Sequence, residues 1–104
     1  MPCNLHAVWD SRLIDRRNLN DRDYVTALRT VIADRQLARL PVGTPAQWAE
    51  QSFKAGKEAL VATDTNIDDG YYRRHIAVID ERLALGGVRL AGELNRLLST
   101  PPPR

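Results

Sequence analysis

Cysteine is nearly absent from this 104-residue chain: Cys3 stands alone, so no disulfide can close within it and no CxxC pair is present. Aromatic residues make up only 6%, which leaves Leu, Ile, Val and Ala to build most of any core. Lysine is confined to Lys54 and Lys57, so the pI near 9.0 reflects arginine. The formal net charge of +2 is too small to argue for a nucleic-acid partner. No run approaches the ~20 apolar residues that a membrane span needs, and Met1-Pro2 does not open a charged-then-apolar leader. Glycine-rich phosphate loops, Walker patterns and nucleophile elbows are also missing, which removes those enzyme classes. The remainder is ordinary: 43% hydrophobic and 27% charged residues, in a length that suits one domain with a modest core.

The patterning predicts an all-α chain of three main helices plus a short helix at the N-terminus. Residues 1 to about 10 are expected to form that short helix, with Asn4 as its N-cap, and Ser11 to Asn20 a connecting loop. Asn20 caps a helix expected over about Asp21 to Leu37, where Tyr24, Leu28, Val31 and Ile32 recur at helical period. Thr44-Pro45-Ala46-Gln47 combines an N-cap, a first-turn proline and a capping box. The helix it opens is expected to reach about Thr63 and to bury Trp48, Ser52, Phe53 and Leu60. Gly56 costs that helix about 1 kcal/mol against alanine, which points to a neighbouring helix passing close by.

Asp64 to Gly70 reads as a loop. A last helix follows over about Tyr71 to Leu98, with Tyr72, Ile76, Ile79, Leu83, Leu90, Leu94 and Leu97 as its buried stripe. Gly86-Gly87 within it is costly by helix propensity, and a kink there is one explanation. Arg82, Arg89 and Arg96 recur every seven residues, but Asp68 to Leu98 holds five arginines and five acids. That balance reads as a solvated face. The domain is therefore expected over 1–98, with a disordered proline-rich tail over 99–104.

One stretch carries chemistry. His6 and Asp10 in Asn4-Leu5-His6-Ala7-Val8-Trp9-Asp10 stand i, i+4, one helical turn apart on one face. An imidazole nitrogen and a carboxylate oxygen so placed can share a divalent cation, and zinc accepts both at about 2.0 to 2.2 Å. The plain alternative is a surface hydrogen bond or a cap. Trp9 reads as a packing anchor rather than a substrate platform. His75, among arginines, reads as a helix-surface histidine. Cys3 with His6 and Asp10 makes a weaker candidate for a small local zinc site.

Taken whole, Asn-Leu-His-x-Val-Trp-Asp resembles a signature of the zinc-dependent single-strand-specific nucleases typified by nucleases S-one and P-one, within the phospholipase C/nuclease superfamily. Trp48-Ala49-Glu50, Tyr71-Tyr72, Gly86-Gly87-Val88-Arg89-Leu90-Ala91 and Leu94-Asn95 follow in the order and spacing of that family's C-terminal portion. The resemblance runs from Asn4 to about Leu98, and it implies close helix packing at Gly86-Gly87. It implies that His6 and Asp10 bind one zinc of a three-zinc cluster. It further implies a missing N-terminal portion that supplies most of the ligands, so the chain is expected to be a fragment, a truncated gene model or one piece of a split gene. Cys3 would then be a former disulfide partner of that portion, or an incidental thiol. A substrate-contacting aromatic can lie two positions past the metal-binding Asp; here Arg12 stands there, so base stacking is not carried over.

The implied activity is hydrolysis of phosphodiesters in single-stranded DNA and RNA to 5′-phosphorylated products, with nucleotides as 3′-phosphatase substrates of some members. The family is secreted or periplasmic, although this chain shows no signal peptide. Two ligands do not make a zinc hydrolase, so the isolated chain is expected to have little or no activity. The rival readings are a phospholipase C-like zinc phosphodiesterase and a non-catalytic helical interaction module.

Overall fold

The computed structural model describes residues 4–39, 43–62 and 65–99. Among them there is no strand, and every regular element is helical. α1 (Leu5–Ala7) runs into a π-helical segment (Val8–Arg12) and α2 (Leu13–Asp15). Then come α3 (Asp21–Asp34), a 3₁₀ turn (Leu37–Arg39), α4 (Pro45–Ala59) and α5 (Asp69–Leu98).

Local chemistry sets the starts. Asn4 Oδ1 accepts from the Ala7 N–H at 2.7 Å, and Asn20 Oδ1 accepts from the Asp23 N–H at 2.8 Å. Thr44 and Gln47 exchange both bonds of the capping box, with Pro45 at the first helical position. Asp68 caps α5 through the Tyr71 N–H at 2.9 Å. The N-terminal helix ends in a turn at Asn18, whose φ of +52° is a left-handed conformation that asparagine tolerates.

α5 is the spine, and two clusters form along it. Near its start, Val8, Leu13, Tyr71 and Ile79 are buried, with Leu5, Trp9, Ile14, Ile67, Tyr72 and Ile76 packed around them. Further along, Leu37, Ala84 and Leu85 are buried against Leu28, Val31 and Ile32. Between the clusters lies a charged group. Asp80, only 7% exposed, accepts from the Tyr24 hydroxyl at 2.6 Å and from Arg17 Nη2 at 2.9 Å. Each Asp80 oxygen thus has a donor, as burying a carboxylate requires.

Several expectations need correction. Ser11 to Asn20 is helical as far as Asp15, because Leu13 continues the face begun by Leu5 and Trp9 and is buried. α3 ends at Asp34, and Leu37 is buried from the 3₁₀ turn instead. α4 ends at Ala59, where Leu60 turns to extended backbone; Thr63 lies outside the described residues. Ser52 is exposed, Phe53 and Leu60 are 68% and 66% exposed, and Trp48 is half-buried.

No neighbouring helix approaches Gly56, Gly86 or Gly87: nothing lies within 4 Å of where a Cβ would stand. α5 starts two residues earlier than expected and continues through the glycine pair. Leu83, Leu90, Leu94 and Leu97 are exposed, and Tyr71, Asp80, Ala84 and Leu85 are buried in their place. Periodicity located an apolar face but not what covers it. The proline-rich tail falls almost wholly outside the described residues, which end at Ser99.

Two consequences can be measured. Tyr71→Phe removes a hydroxyl that bridges Trp9 and Ala59. It is expected to lower stability by about 1–3 kcal/mol in urea unfolding, since both partners lose their bond; an unchanged midpoint would show that the bridge contributes nothing. Burial, and then the hydrogen bond to Asp80, push the Tyr24 phenol up from 10.0 to about 12. An unfolded phenol ionises first, so this contribution is full below pH 10 and is lost as pH rises from 10 to about 12. The stability difference between wild type and Tyr24→Phe should shrink across that window, by on the order of 2 kcal/mol. A difference independent of alkaline pH contradicts the assignment.

Candidate metal-binding face

His6 and Asp10 do meet. His6 Nε2 lies 2.8 Å from Asp10 Oδ2, with the two side chains 83% and 67% exposed. His6 belongs to α1 and Asp10 to the π-helical segment. The Leu13 N–H closes that wider turn on the Val8 carbonyl, a local widening that recurs at functional sites. The opposite face of the same turn is sealed, with Val8 and Leu13 each 2% exposed. A buried face thus fixes the helix while the nitrogen and oxygen donors stay in the open.

The donor chemistry fits zinc in part. Tetrahedral bonds of about 2.0–2.2 Å separate two donors by roughly 3.3 Å, so the pair would need to spread only slightly. Two donors are nevertheless too few. Among the described residues no group of three or more His, Cys, Asp or Glu could hold a metal ion. Cys3 lies outside the described residues.

Behind the pair stands a polar and aromatic anchor. Trp9 Nε1 donates to the Tyr71 hydroxyl at 2.7 Å, and that hydroxyl donates to the Ala59 carbonyl at 3.0 Å. Trp9 is thereby a packing residue, as its sequence context suggested. His75 corrects the surface reading: it is half-buried, 4.3 Å from the Tyr71 ring and 5.5 Å from the Trp9 ring by centroids. Burial, and then the charge of Arg74, hold its pKa below the ordinary histidine range. The neutral ring is the folded form, and its contribution is lost as pH falls through that lowered pKa.

Beside His6 opens a cleft of about 540 Å³, walled by Leu5, Trp9, Phe53, Lys57 and Leu60. Sequence reasoning placed Phe53 and Leu60 in a core and gave Lys57 no role. Phe53 and Lys57 stand i, i+4 on one face of α4, and Leu60 joins them from the extended residue that follows the helix. Gly56 also lines this cleft; its missing side chain leaves space rather than admitting a helix. Arg12, at the end of the π-helical segment, is exposed.

Comparison with known proteins converges on one family. The family model described as S1/P1 Nuclease matches residues 2–99. Endonuclease 5 of Arabidopsis thaliana is 30% identical over 95% of this chain and 39% of its own length. Endonuclease 3 of the same plant is 32% identical over 92% of this chain and 38% of its own. Endonuclease 2 is 31% identical over 90% and 38%. The chain thus spans about two fifths of the length of these curated relatives. No solved structure matches. Among the described residues, no helix is long and apolar enough to cross a membrane. With a family match across nearly all of its residues, the chain belongs to the S1/P1 nuclease family.

Proposed function

We propose that this chain is the part of a zinc-dependent nuclease that contributes His6 and Asp10 to one zinc, the enzyme hydrolysing phosphodiesters of single-stranded DNA and RNA to 5′-phosphorylated products. The observation that carries this reading is the 2.8 Å approach of His6 Nε2 and Asp10 Oδ2 on an open face. The names of the Arabidopsis relatives, which are endonucleases, support it. Zinc, when bound, supplies a Lewis acid to a phosphoryl oxygen and lowers the pKa of an attacking water towards ~7.

The chain's own residues have simpler tasks. The Asn4 cap and the buried Val8 and Leu13 orient the donor pair. The cleft walled by Phe53 and Leu60 suits an unstacked base, which only a single strand can offer, and Lys57 at its edge suits a phosphate. Family members are secreted or periplasmic, and that is the proposed location. Two donors leave a catalytic zinc short of the three protein ligands it ordinarily has. The 104 residues alone are therefore expected to be inactive, with the remaining ligands on the family's N-terminal portion.

Two measurements test this. In calorimetric zinc titration, His6→Ala and Asp10→Ala should each weaken binding by about tenfold or more, because a site of two donors loses half its set. Circular dichroism should show the helices retained, since both side chains are exposed. Zinc binding unaffected by both substitutions removes the metal role. Separately, the purified chain with added zinc should not cleave single-stranded oligonucleotides, and steady turnover there would overturn the inactivity of the isolated chain.

A further inference from the structure

Arg82 and Arg89 stand i, i+7 on α5, and both reach across to α4. Arg82 Nη2 donates to Ser52 Oγ at 2.9 Å, and Arg89 Nη2 donates to Gln51 Oε1. The two arginines line the same groove. Both arginines are half-buried, which corrects their reading as part of a solvated face. Arg89 also lies over the Trp48 ring, 5.3 Å from its centroid.

Their partners are neutral, while the nearby acids are already matched. Glu81 pairs with Arg35, and Glu50 lies 4.0 Å from Lys54. Arg96, the third member of the stripe, pairs with Glu93 at 2.7 Å. Among the described residues, neither Arg82 nor Arg89 has an ion-pair partner. Two uncompensated charges therefore share a groove of about 920 Å³ between α4 and α5, a volume within the range of small-molecule sites.

We propose that this groove binds a phosphate group, gripped by the Arg82 and Arg89 forks. Planar guanidinium groups match phosphate oxygens bidentately, and the Ser52 hydroxyl can turn to donate once Arg82 engages the anion. The Arg89 guanidinium sits below its ordinary pKa, through burial and then the Arg82 charge; an anion between the two relieves that repulsion. The site is independent of the His6 and Asp10 pair. Its phosphate can come from free orthophosphate or from a nucleic-acid strand.

The test is a zinc-free NMR titration in EDTA that follows the Trp48 indole N–H, with inorganic phosphate in one arm and a short oligothymidylate in the other. Saturable Trp48 shifts are expected, and affinity at least tenfold higher for the oligonucleotide assigns the site to a strand. Similar affinities assign it to free phosphate. Arg82→Gln with Arg89→Gln should weaken binding at least tenfold, whereas the equal-charge control Arg73→Gln with Arg74→Gln should stay within about threefold. If the oligonucleotide binds, the double variant should also flatten the salt dependence by about 0.7 in log–log slope, the value for one neutralised phosphate of a single strand.

Should the arginine variant fail to fold, Glu50→Gln decides: freeing Lys54 should tighten phosphate binding about two- to threefold. Absence of binding in both arms, equal losses in variant and control, or a Glu50→Gln chain that binds no tighter would each overturn the proposal.

Discussion

The hydroxyl of Tyr71 is the joint on which the N-terminal part of this structure depends. It accepts from the Trp9 indole, donates to the Ala59 carbonyl and sits on the first turn of α5. One oxygen thereby ties the N-terminal helix, the end of α4 and the start of α5. Tyr71 is 1% exposed, so neither partner can readily exchange this oxygen for water; a buried polar group left unpaired costs about 1–3 kcal/mol. His6 and Asp10 owe their position to the same joint, since Trp9 lies between them in sequence. Its ring is held inward while their side chains face out.

Along α5 the packing changes character. As far as Leu85 it buries Tyr71, Ile79, Asp80, Ala84 and Leu85. Beyond Leu85 it leaves Leu90 and Leu97 60% and 65% exposed, with open space around Gly86, Gly87 and Gly92. A radius of gyration of 16.5 Å exceeds the ~13 Å of a compact chain this long. The excess follows from a 30-residue helix, ~45 Å at 1.5 Å per residue, clothed along only part of its length. α4 accordingly depends on side-chain bonds, from Arg82 to Ser52 and from Arg89 to Gln51, more than on a shared apolar core. The chain's relatives are more than twice its length. Exposed leucines at helical spacing belong to a face that gains stability only when something covers it.

What could be read in the sequence was local. Asn4, Asn20 and the Thr44–Gln47 box announce helix starts through bonds spanning three residues, so no tertiary context is needed to see them. The His6–Asp10 contact is legible for the same reason. Asp80 was not, because an acid in a helix of balanced charge reads as solvated. Only the fold brings Arg17 and Tyr24, 63 and 56 residues away, onto its two oxygens. Phe53 and Leu60 failed in the opposite direction: an apolar residue on a helix announces a face, not a neighbour. The helix through Asp15 was missed because Asp10, Ser11 and Arg12 interrupt the run. Leu5, Trp9 and Leu13 at steps of four carry the signal beneath them.

Helix geometry also limits what the candidate metal-binding face can become. A residue at i shares its face with i+4 and with i+7 or i+8. The π-helical turn over Val8–Arg12 shifts that register, and the donor pair is followed by Leu13, buried on the opposite face, and Ile14, packed against the core. The helix therefore spends its next turn on anchoring and offers no third donor. This division explains how one short segment holds two donors firmly while 83% and 67% of their side-chain surface stays open. A cation site assembled there must be completed from another element across the exposed side, because the turn that steadies the pair is the turn that would otherwise have extended it.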